Sequence, residues 1–231
     1  MLTLKKILGA PPDLFAWLRS TQKIRTVIDL GAHTGEYSEF LSSFFRAEAT
    51  YAFEPLPECV AAIEAKSHKI TNLKIFNCAL SDQAGRMTFY RNSYGPSSSL
   101  LRVAEIHKRE FPETRQETPL TVNVSRLDDL LDPSTLKKDV LIKMDVQGAE
   151  DKVIRGGRKL FALARCVLVE MSFVAMYEGQ PLFEEIHSLL SEKGLRFHGM
   201  KNQINSKETG QPLFCHCLYV RGGEEIEAKF S

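Results

Sequence analysis

The sequence predicts an α/β fold built on a mostly parallel sheet, with one antiparallel strand near the C-terminus. Three observations carry that expectation. Short, β-branched apolar runs alternate with stretches of helical periodicity, the pattern of βαβ units. The first run, Val27-Ile28-Asp29-Leu30, ends in glycine just before a helix begins. The last two runs follow one another with no helix between them, so the chain must turn back and lay one strand antiparallel.

The elements follow in order. Residues 1–24 read as an N-terminal helical extension, in which Pro11, Pro12 and Asp13 start an amphipathic helix through Leu14, Phe15, Trp17 and Leu18. Residues 25–231 read as a single domain, since 231 residues suit one substantial core. Its first strand covers 26–30, and a helix through Tyr37, Phe40, Leu41, Phe44 and Phe45 follows. A strand at 50–54, a helix opened by Pro57 and a strand at 73–78 continue the rhythm.

The middle breaks it. Runs at 87–90 and 120–124 are strand-like but have no such helix between them, so a loop or hairpin insertion is expected at about 87–124. The polar stretch 91–118 is either a cover over the active site or a plain solvated loop. The alternation then resumes with a strand at 139–145, a short helix from Gly148 to Gly157, a strand at 164–170 and a helix over 182–193 closed by Gly194. Strands at 195–198 and 213–220 end the series.

Composition narrows the function classes. With 43% apolar and 26% charged residues, the chain is globular and neither disordered nor fibrous. Thirty basic side chains against 29 acidic ones leave a formal charge of +1, so no whole-molecule attraction to nucleic acid or an acidic membrane is expected. Five cysteines at unpatterned spacings suit reduced thiols in a cytoplasmic protein. No apolar run suits a signal peptide or a membrane span.

The chemistry concentrates at strand ends. Gly31 and Gly35 frame the turn from the first strand into its helix, where backbone must bend sharply and approach a ligand closely. A pyrophosphate site would want G-x-G-x-x-G. Here the spacing is G-x-x-x-G with Asp29 inside the strand end, which disfavours phosphate and suits a cationic or hydroxyl-bearing ligand such as S-adenosylmethionine. Glu54 ends the second strand 25 residues after Asp29, where an acid accepts ribose hydroxyls. Asp145 ends a later strand of the parallel series, and Asp29, Glu54, Asp145 and Glu170 are expected along one rim. Lone buried carboxylates are costly, so four on one edge point to a ligand.

These runs, together with Asn77-Cys78-Ala79-Leu80-Ser81-Asp82, Leu127-Asp128-Asp129, Lys143 to Glu150 and Tyr177 to Phe183, resemble the FkbM-type S-adenosylmethionine-dependent methyltransferases over roughly residues 24–221. The resemblance implies a class I methyltransferase (Rossmann-like) fold with a seven-stranded sheet and helices on both faces. It implies methyl transfer to a hydroxyl oxygen, with S-adenosylhomocysteine as product. It places Asp29, Gly31, His33, Gly35 and Ser38 around the methionine portion, Glu54 on the ribose with Pro55 beside it, and Ala79, Leu80 and Ser81 at the adenine. Asp145 and Gln147 would lie near the methyl group, and Ser98 and Ser99 in a segment closing over the cofactor. His33 stands where asparagine is common in the family, and Gln147 where glutamate is common.

Methyl transfer needs alignment, exclusion of water and a destination for the acceptor's proton. Asp145 is the first candidate to take that proton and Glu170 the second, although Asp145 could instead orient the cofactor's amine. The two could also share a divalent metal, but the sequence names no third ligand and none is predicted. Along Cys215-His216-Cys217 the thiols face one side of a strand and the histidine the other, the pattern of a core strand. His68, His107 and His187 read as surface or helix-face residues. The expected acceptor is a small molecule or a glycan. A non-catalytic binding protein that keeps the fold is the alternative, and a nicotinamide-dependent oxidoreductase is disfavoured by the glycine spacing and Asp29. Nucleic-acid methylation lacks both the charge and a nucleophile motif.

Overall fold

The computed structural model describes residues 14–222. Pro11, Pro12 and Asp13, expected to start the first helix, lie outside the described residues. In chain order the elements are α1 (Leu14–Thr21), β1 (Thr26–Leu30), α2 (Glu36–Phe45), β2 (Ala49–Phe53), α3 (Pro57–Ala65), β3 (Leu73–Phe76), β4 (Ala79–Leu80) and β5 (Gly85–Asn92). They continue with α4 (Glu105–Glu110), β6 (Glu117–Ser125), α5 (Leu127–Leu130), β7 (Val140–Met144), α6 (Glu150–Gly156), α7 (Arg158–Leu163), β8 (Cys166–Ser172), α8 (Phe183–Ser191), β9 (Leu195–Asn205) and β10 (Pro212–Arg221).

Seven strands form one sheet in the order β3-β2-β1-β7-β8-β10-β9. β1, β2, β3, β7 and β8 are mutually parallel, while β10 runs antiparallel to both β8 and β9. This is the class I methyltransferase arrangement, with its single reversed strand near the C-terminus. The order reverses between β1 and β7, so a crevice opens there at the carboxyl ends of the strands, the usual ligand site of an open α/β sheet.

Period-2 alternation feeds two cores. Ile28, Leu30, Ile142, Met144, Val167, Val169, Cys215, Cys217 and Tyr219 point to one face, where Val153, Ile154, Leu160, Phe161, Ile186 and Leu190 of α6, α7 and α8 cover them. Val27, Leu141, Leu168, Leu218 and Val220 point to the other, against Phe15 and Leu18 of α1 and Leu41 and Phe45 of α2. Each such fully buried side chain contributes roughly 1.5–3 kcal/mol of transfer free energy. Phe15 of α1 meets the Phe40 ring of α2 edge-on at 5.4 Å, which seats α1 on this face.

Several elements exceed what the sequence pattern conveys. The final hairpin is longer than its apolar runs, because β9 continues through polar residues to Asn205. The 150–163 stretch holds two helices, α6 and α7, with Gly157 between them. β5 and β6 pair antiparallel from Gly85↔Val124 to Asn92↔Glu117, and the two-residue β4 adds to β6 as a separate three-stranded sheet. The chain between β5 and β6 is not a bare loop. It contains α4 and folds back over the main sheet's carboxyl edge, where Ala104 N–H donates to Met176 O at 2.9 Å and Glu178 N–H donates to Arg102 O at 2.8 Å.

Candidate active site

The turn after β1 is shaped by close backbone packing. Gly31 has φ +76°, and a Cβ there would stand 2.0 Å from the Asp145 carbonyl oxygen. No side chain fits, so β1 and the chain leaving β7 approach to backbone contact. His33 takes φ 48° and Gly35 φ 78°, which turns the chain into α2.

Glu54, at the end of β2, braces that turn from the other side. Its Oε2 accepts the His33 N–H at 2.8 Å and its Oε1 accepts the Leu56 N–H at 2.9 Å. Burial pushes the carboxyl up to about 7, against the pull of those two backbone donors. Asn77 donates to the carbonyls of Glu54 and Pro55 at 2.9 and 3.0 Å and fixes this strand end.

Asp29 and Lys143 are register partners on β1 and β7, and both side chains are sealed from solvent. Lys143 Nζ lies 3.1 Å from Asp29 Oδ1 and donates to the Gly31 carbonyl at 2.8 Å. Burial alone would lower the ammonium's pKa, but Asp29 and then Asp145 more than offset it and hold it above its ordinary value. Ser38 donates to Asp29 Oδ2 at 2.6 Å. The Lys143 ammonium also lies 5.2 Å from the Tyr37 ring centre.

Past β7 the chain presents Asp145 and Gln147. The Gln147 amide donates to Asp145 Oδ1 and, at 3.2 Å, to Glu170 Oε1, so one amide bridges two carboxylates. Gln147 in turn accepts from the Tyr177 hydroxyl. Glu170 of β8 is pushed well above the ordinary carboxyl value, chiefly by burial and then by its neighbours Asp145 and Glu150. Opposite it in register stands His216 of β10, its Nε2 3.9 Å from Asp145 Oδ2 and 4.0 Å from Glu170 Oε2. Burial lowers the imidazole's pKa and favours its neutral form. Cys215 and Cys217 face the core on the other side, as their alternation requires.

Two cavities meet at this rim. One is walled by Phe53, Pro55, Leu56, Ala79, Leu80, Phe89 and Leu100, with the Glu54 carboxylate as its acid. The other is walled by Tyr37, Tyr94, His107, Phe111, Met176, Ile204 and Phe214, with Lys143, Glu170 and His216 on its floor. Gly31, His33, Pro96, Asp145 and Gln147 line both and mark the junction. The 91–118 segment roofs it, since Tyr177 also bonds Ser97 O at 3.2 Å and Ser99 Oγ donates to Gln147 O at 2.6 Å.

Of the residues expected at the cofactor, Gly31, His33, Glu54, Pro55, Ala79, Leu80, Ser98, Asp145 and Gln147 line the first cavity. Asp29, Gly35, Ser38, Ser81 and Ser99 are not on either wall. Asp29 and Ser38 bond each other beneath the glycine turn, and the Ser81 hydroxyl bonds Asp82 Oδ1 at 3.1 Å. The Ser98 hydroxyl is spent within its own turn, donating to Gly95 O at 2.7 Å. His107, read from sequence as a surface or helix-face residue, is buried and stands 3.3 Å from Met176 O. Lys143, His216, Tyr37 and Tyr177 were not anticipated at the site. A lone lysine within the apolar run Val140-Leu-Ile-Lys-Met144 was the one local signal available.

The first cavity joins a buried carboxylate, which suits the paired hydroxyls of a ribose, to apolar walls, which suit a purine ring. The junction adds the Asp145 carboxylate and the Gln147 amide, which suit a cationic sulfur and amine.

Comparison with known proteins identifies the family and the fold. A family model described as the Methyltransferase FkbM domain matches residues 29–197. The 2-O-methyltransferase NoeI of Sinorhizobium fredii is 31% identical over 170 residues, which are 71% of this chain and 70% of that protein. The 31-O-demethyl-FK506 methyltransferase FkbM of Streptomyces tacrolimicus is 29% identical over 154 residues, 56% of this chain and 58% of that one. The crystal structure of Methyltransferase FkbM from Methylobacillus flagellatus KT superposes with a TM-score of 0.55 at 13% identity, over 86% of this chain and 44% of that chain, and so shares the fold. The chain thus spans less than two thirds of the last two proteins.

Proposed function

This chain belongs to the FkbM methyltransferase family, and from that premise we propose that it methylates a hydroxyl oxygen of a small-molecule or glycan acceptor bound in the Tyr37–Phe214 cavity. Its reaction class is S-adenosylmethionine-dependent methyl transfer. The observation that supports the assignment of the two cavities is their junction, where a cavity holding the Glu54 carboxylate and a largely apolar one share Asp145 and Gln147.

When bound, S-adenosylmethionine supplies an electrophilic methyl carbon on a positively charged sulfur. The protein's residues do the rest. Glu54 anchors the ribose, and Ala79 and Leu80 flank the base. The turn at Gly31 and His33, with Asp145 and Gln147, holds the methionine end at the junction. Tyr37, Met176 and Phe214 enclose the acceptor and exclude water. An acceptor hydroxyl facing the methyl carbon would give up its proton to Asp145 or Glu170, which line the acceptor cavity. Burial and the neighbouring acids raise the Glu170 pKa, so its ionised form holds a proton more firmly than an ordinary carboxylate does. Apolar walls on the acceptor side support an acceptor with an apolar face beside its hydroxyl.

No helix among the described residues is long and apolar enough to cross a membrane. Five buried, unpaired cysteines support a reducing, cytoplasmic setting.

Calorimetric titration with S-adenosylhomocysteine, with NADH as control, tests the cofactor site. Micromolar binding of the sulfur ligand alone is expected. Binding of NADH and not of the sulfur ligand would overturn the reading. A screen of hydroxylated glycans and polyketides with isotope-labelled S-adenosylmethionine then tests the acceptor class.

A further inference from the structure

We propose that Asp145, Glu170 and His216 bind a divalent metal ion on the floor of the acceptor cavity. One ligand atom from each residue lies within 4.8 Å of the other two. The carboxylates are arranged as a pair of ligands would be. Each spends one oxygen on the Gln147 amide, Asp145 through Oδ1 and Glu170 through Oε1, and each turns its other oxygen toward His216 Nε2. An outer donor that fixes ligating carboxylates in this way is a usual part of a metal site.

His216 supplies an independent observation. Both of its ring nitrogens are buried without a hydrogen-bond partner. A buried polar atom left unpaired costs roughly 1–3 kcal/mol, so two on one imidazole call for a missing partner. The ring is held face to face with Tyr37, 6.3 Å away and 25° from parallel, so it is oriented rather than loose. Register explains the aim of Nε2, since His216 sits directly across from Glu170.

Charge balance points the same way. Asp29, Asp145 and Glu170 all feel the ammonium of Lys143. Lys143 is committed to Asp29 at 3.1 Å and to Gly31 O at 2.8 Å, and stands 4.0 Å from Asp145 Oδ2. Asp145 is therefore left with one ammonium at 4.0 Å, and among the described residues Glu170 pairs with no lysine or arginine. Two oxygens and one imidazole nitrogen suit manganese, iron or zinc, and leave further positions for water or an acceptor hydroxyl. Neighbouring ligands of a six-coordinate ion lie roughly 3 Å apart, so the three ligand atoms, 3.9 and 4.0 Å apart at His216 and all within 4.8 Å, would draw together on binding.

The role of such an ion in this enzyme rests on the methyl transfer reading. A hydroxyl bound to it loses its proton more readily, the proton leaving to solvent or to a free carboxylate, and the oxygen then attacks the methyl carbon. Binding of the ion itself does not depend on that reading.

The test uses the full chain, stripped with chelator and titrated with Mn²⁺ while the electron paramagnetic resonance signal of free ion is followed. One saturable site per chain is expected. Affinity should fall at least tenfold in Glu170→Gln, which keeps the side chain's shape, and in His216→Ala. Circular dichroism checks that each variant is folded. No saturable site in the wild type overturns the proposal, and so does undiminished binding in folded Glu170→Gln. Calorimetry with S-adenosylhomocysteine on the same samples keeps the two readings apart. S-adenosylhomocysteine binding without Mn²⁺ binding sinks only the metal site, and Mn²⁺ binding without it sinks the cofactor site.

Discussion

Asp29 and Lys143 sit side by side in the register of β1 and β7, and their charged groups meet at 3.1 Å in the interior of the sheet. The pair carries the floor of the site, because the same ammonium bonds the Gly31 carbonyl at the turn. Asp29 therefore reaches the ligand-binding surface through Lys143 rather than by lining it.

Removing one partner is the severe change. Asp29→Asn leaves the Lys143 ammonium buried beside a neutral amide, and such an uncompensated charge costs roughly 3–5 kcal/mol. The double variant Asp29→Asn/Lys143→Gln is expected to lose less than the two single changes together. Urea unfolding of the four proteins in the cycle checks this.

Glu54→Gln keeps the shape of the side chain and removes its charge. Hydrogen bonds to charged groups contribute about 1.5–3 kcal/mol, so affinity for S-adenosylhomocysteine should fall roughly ten- to a hundredfold. Calorimetry reads it, and unchanged affinity would remove Glu54 from the ribose site.

The same residue makes stability depend on pH. Its carboxyl titrates near 4.5 when unfolded and at about 7 in the fold, because burial disfavours the charge. Between those values the folded protein binds the extra proton, so stability should fall as pH rises from about 4.5 to 7 and level off above that. The ceiling is roughly 3 kcal/mol. Glu150 is also pushed up to about 7 by burial and acts in the same direction. Thermal melts of Glu54→Gln should therefore show a shallower decline than the wild type, not a flat line.

Gly31→Ala should not give a working protein. The new methyl would lie 2.0 Å from the Asp145 carbonyl oxygen, at a φ of +76° that a side chain disfavours. Loss of soluble protein, or a sharp drop in melting temperature with lost S-adenosylhomocysteine binding, is the expected result. A wild-type melting curve would contradict the described backbone contact.

Tyr177→Phe is milder. It removes the hydroxyl that bonds Gln147 Oε1 and Ser97 O, and so unties the roof from the junction. A loss of about 1–2 kcal/mol in stability is expected, with a several-fold drop in turnover. Turnover equal to wild type would show that the Gln147 amide keeps its place without the tyrosine.

Much of the architecture was legible because it is local. Period-2 runs ending in glycine or an acid, with helical stripes between them, define the parallel series and put Glu54 and Asp145 at strand ends, whereas β8 runs on past Glu170 to Ser172. The absence of a helix between the last two runs defined the reversed strand. β4 was not legible, because two residues carry no periodicity. Nor was the polar half of β9, whose pairing with β10 rather than its composition makes it a strand.

The sequence by itself determined the order of the elements, the glycine turn and the acids at the rim, since each depends on neighbours a few residues away. Tertiary structure alone decided who meets whom. Lys143 finds Asp29 across 114 positions only because β7 docks beside β1 at the switch in strand order. His216 reaches Glu170 and Asp145 only because β10 slips antiparallel between β8 and β9 in that register. A one-residue slip would turn the histidine into the core and a thiol toward the carboxylates, so pairing across the sheet, rather than any local pattern, sets the chemistry of this floor.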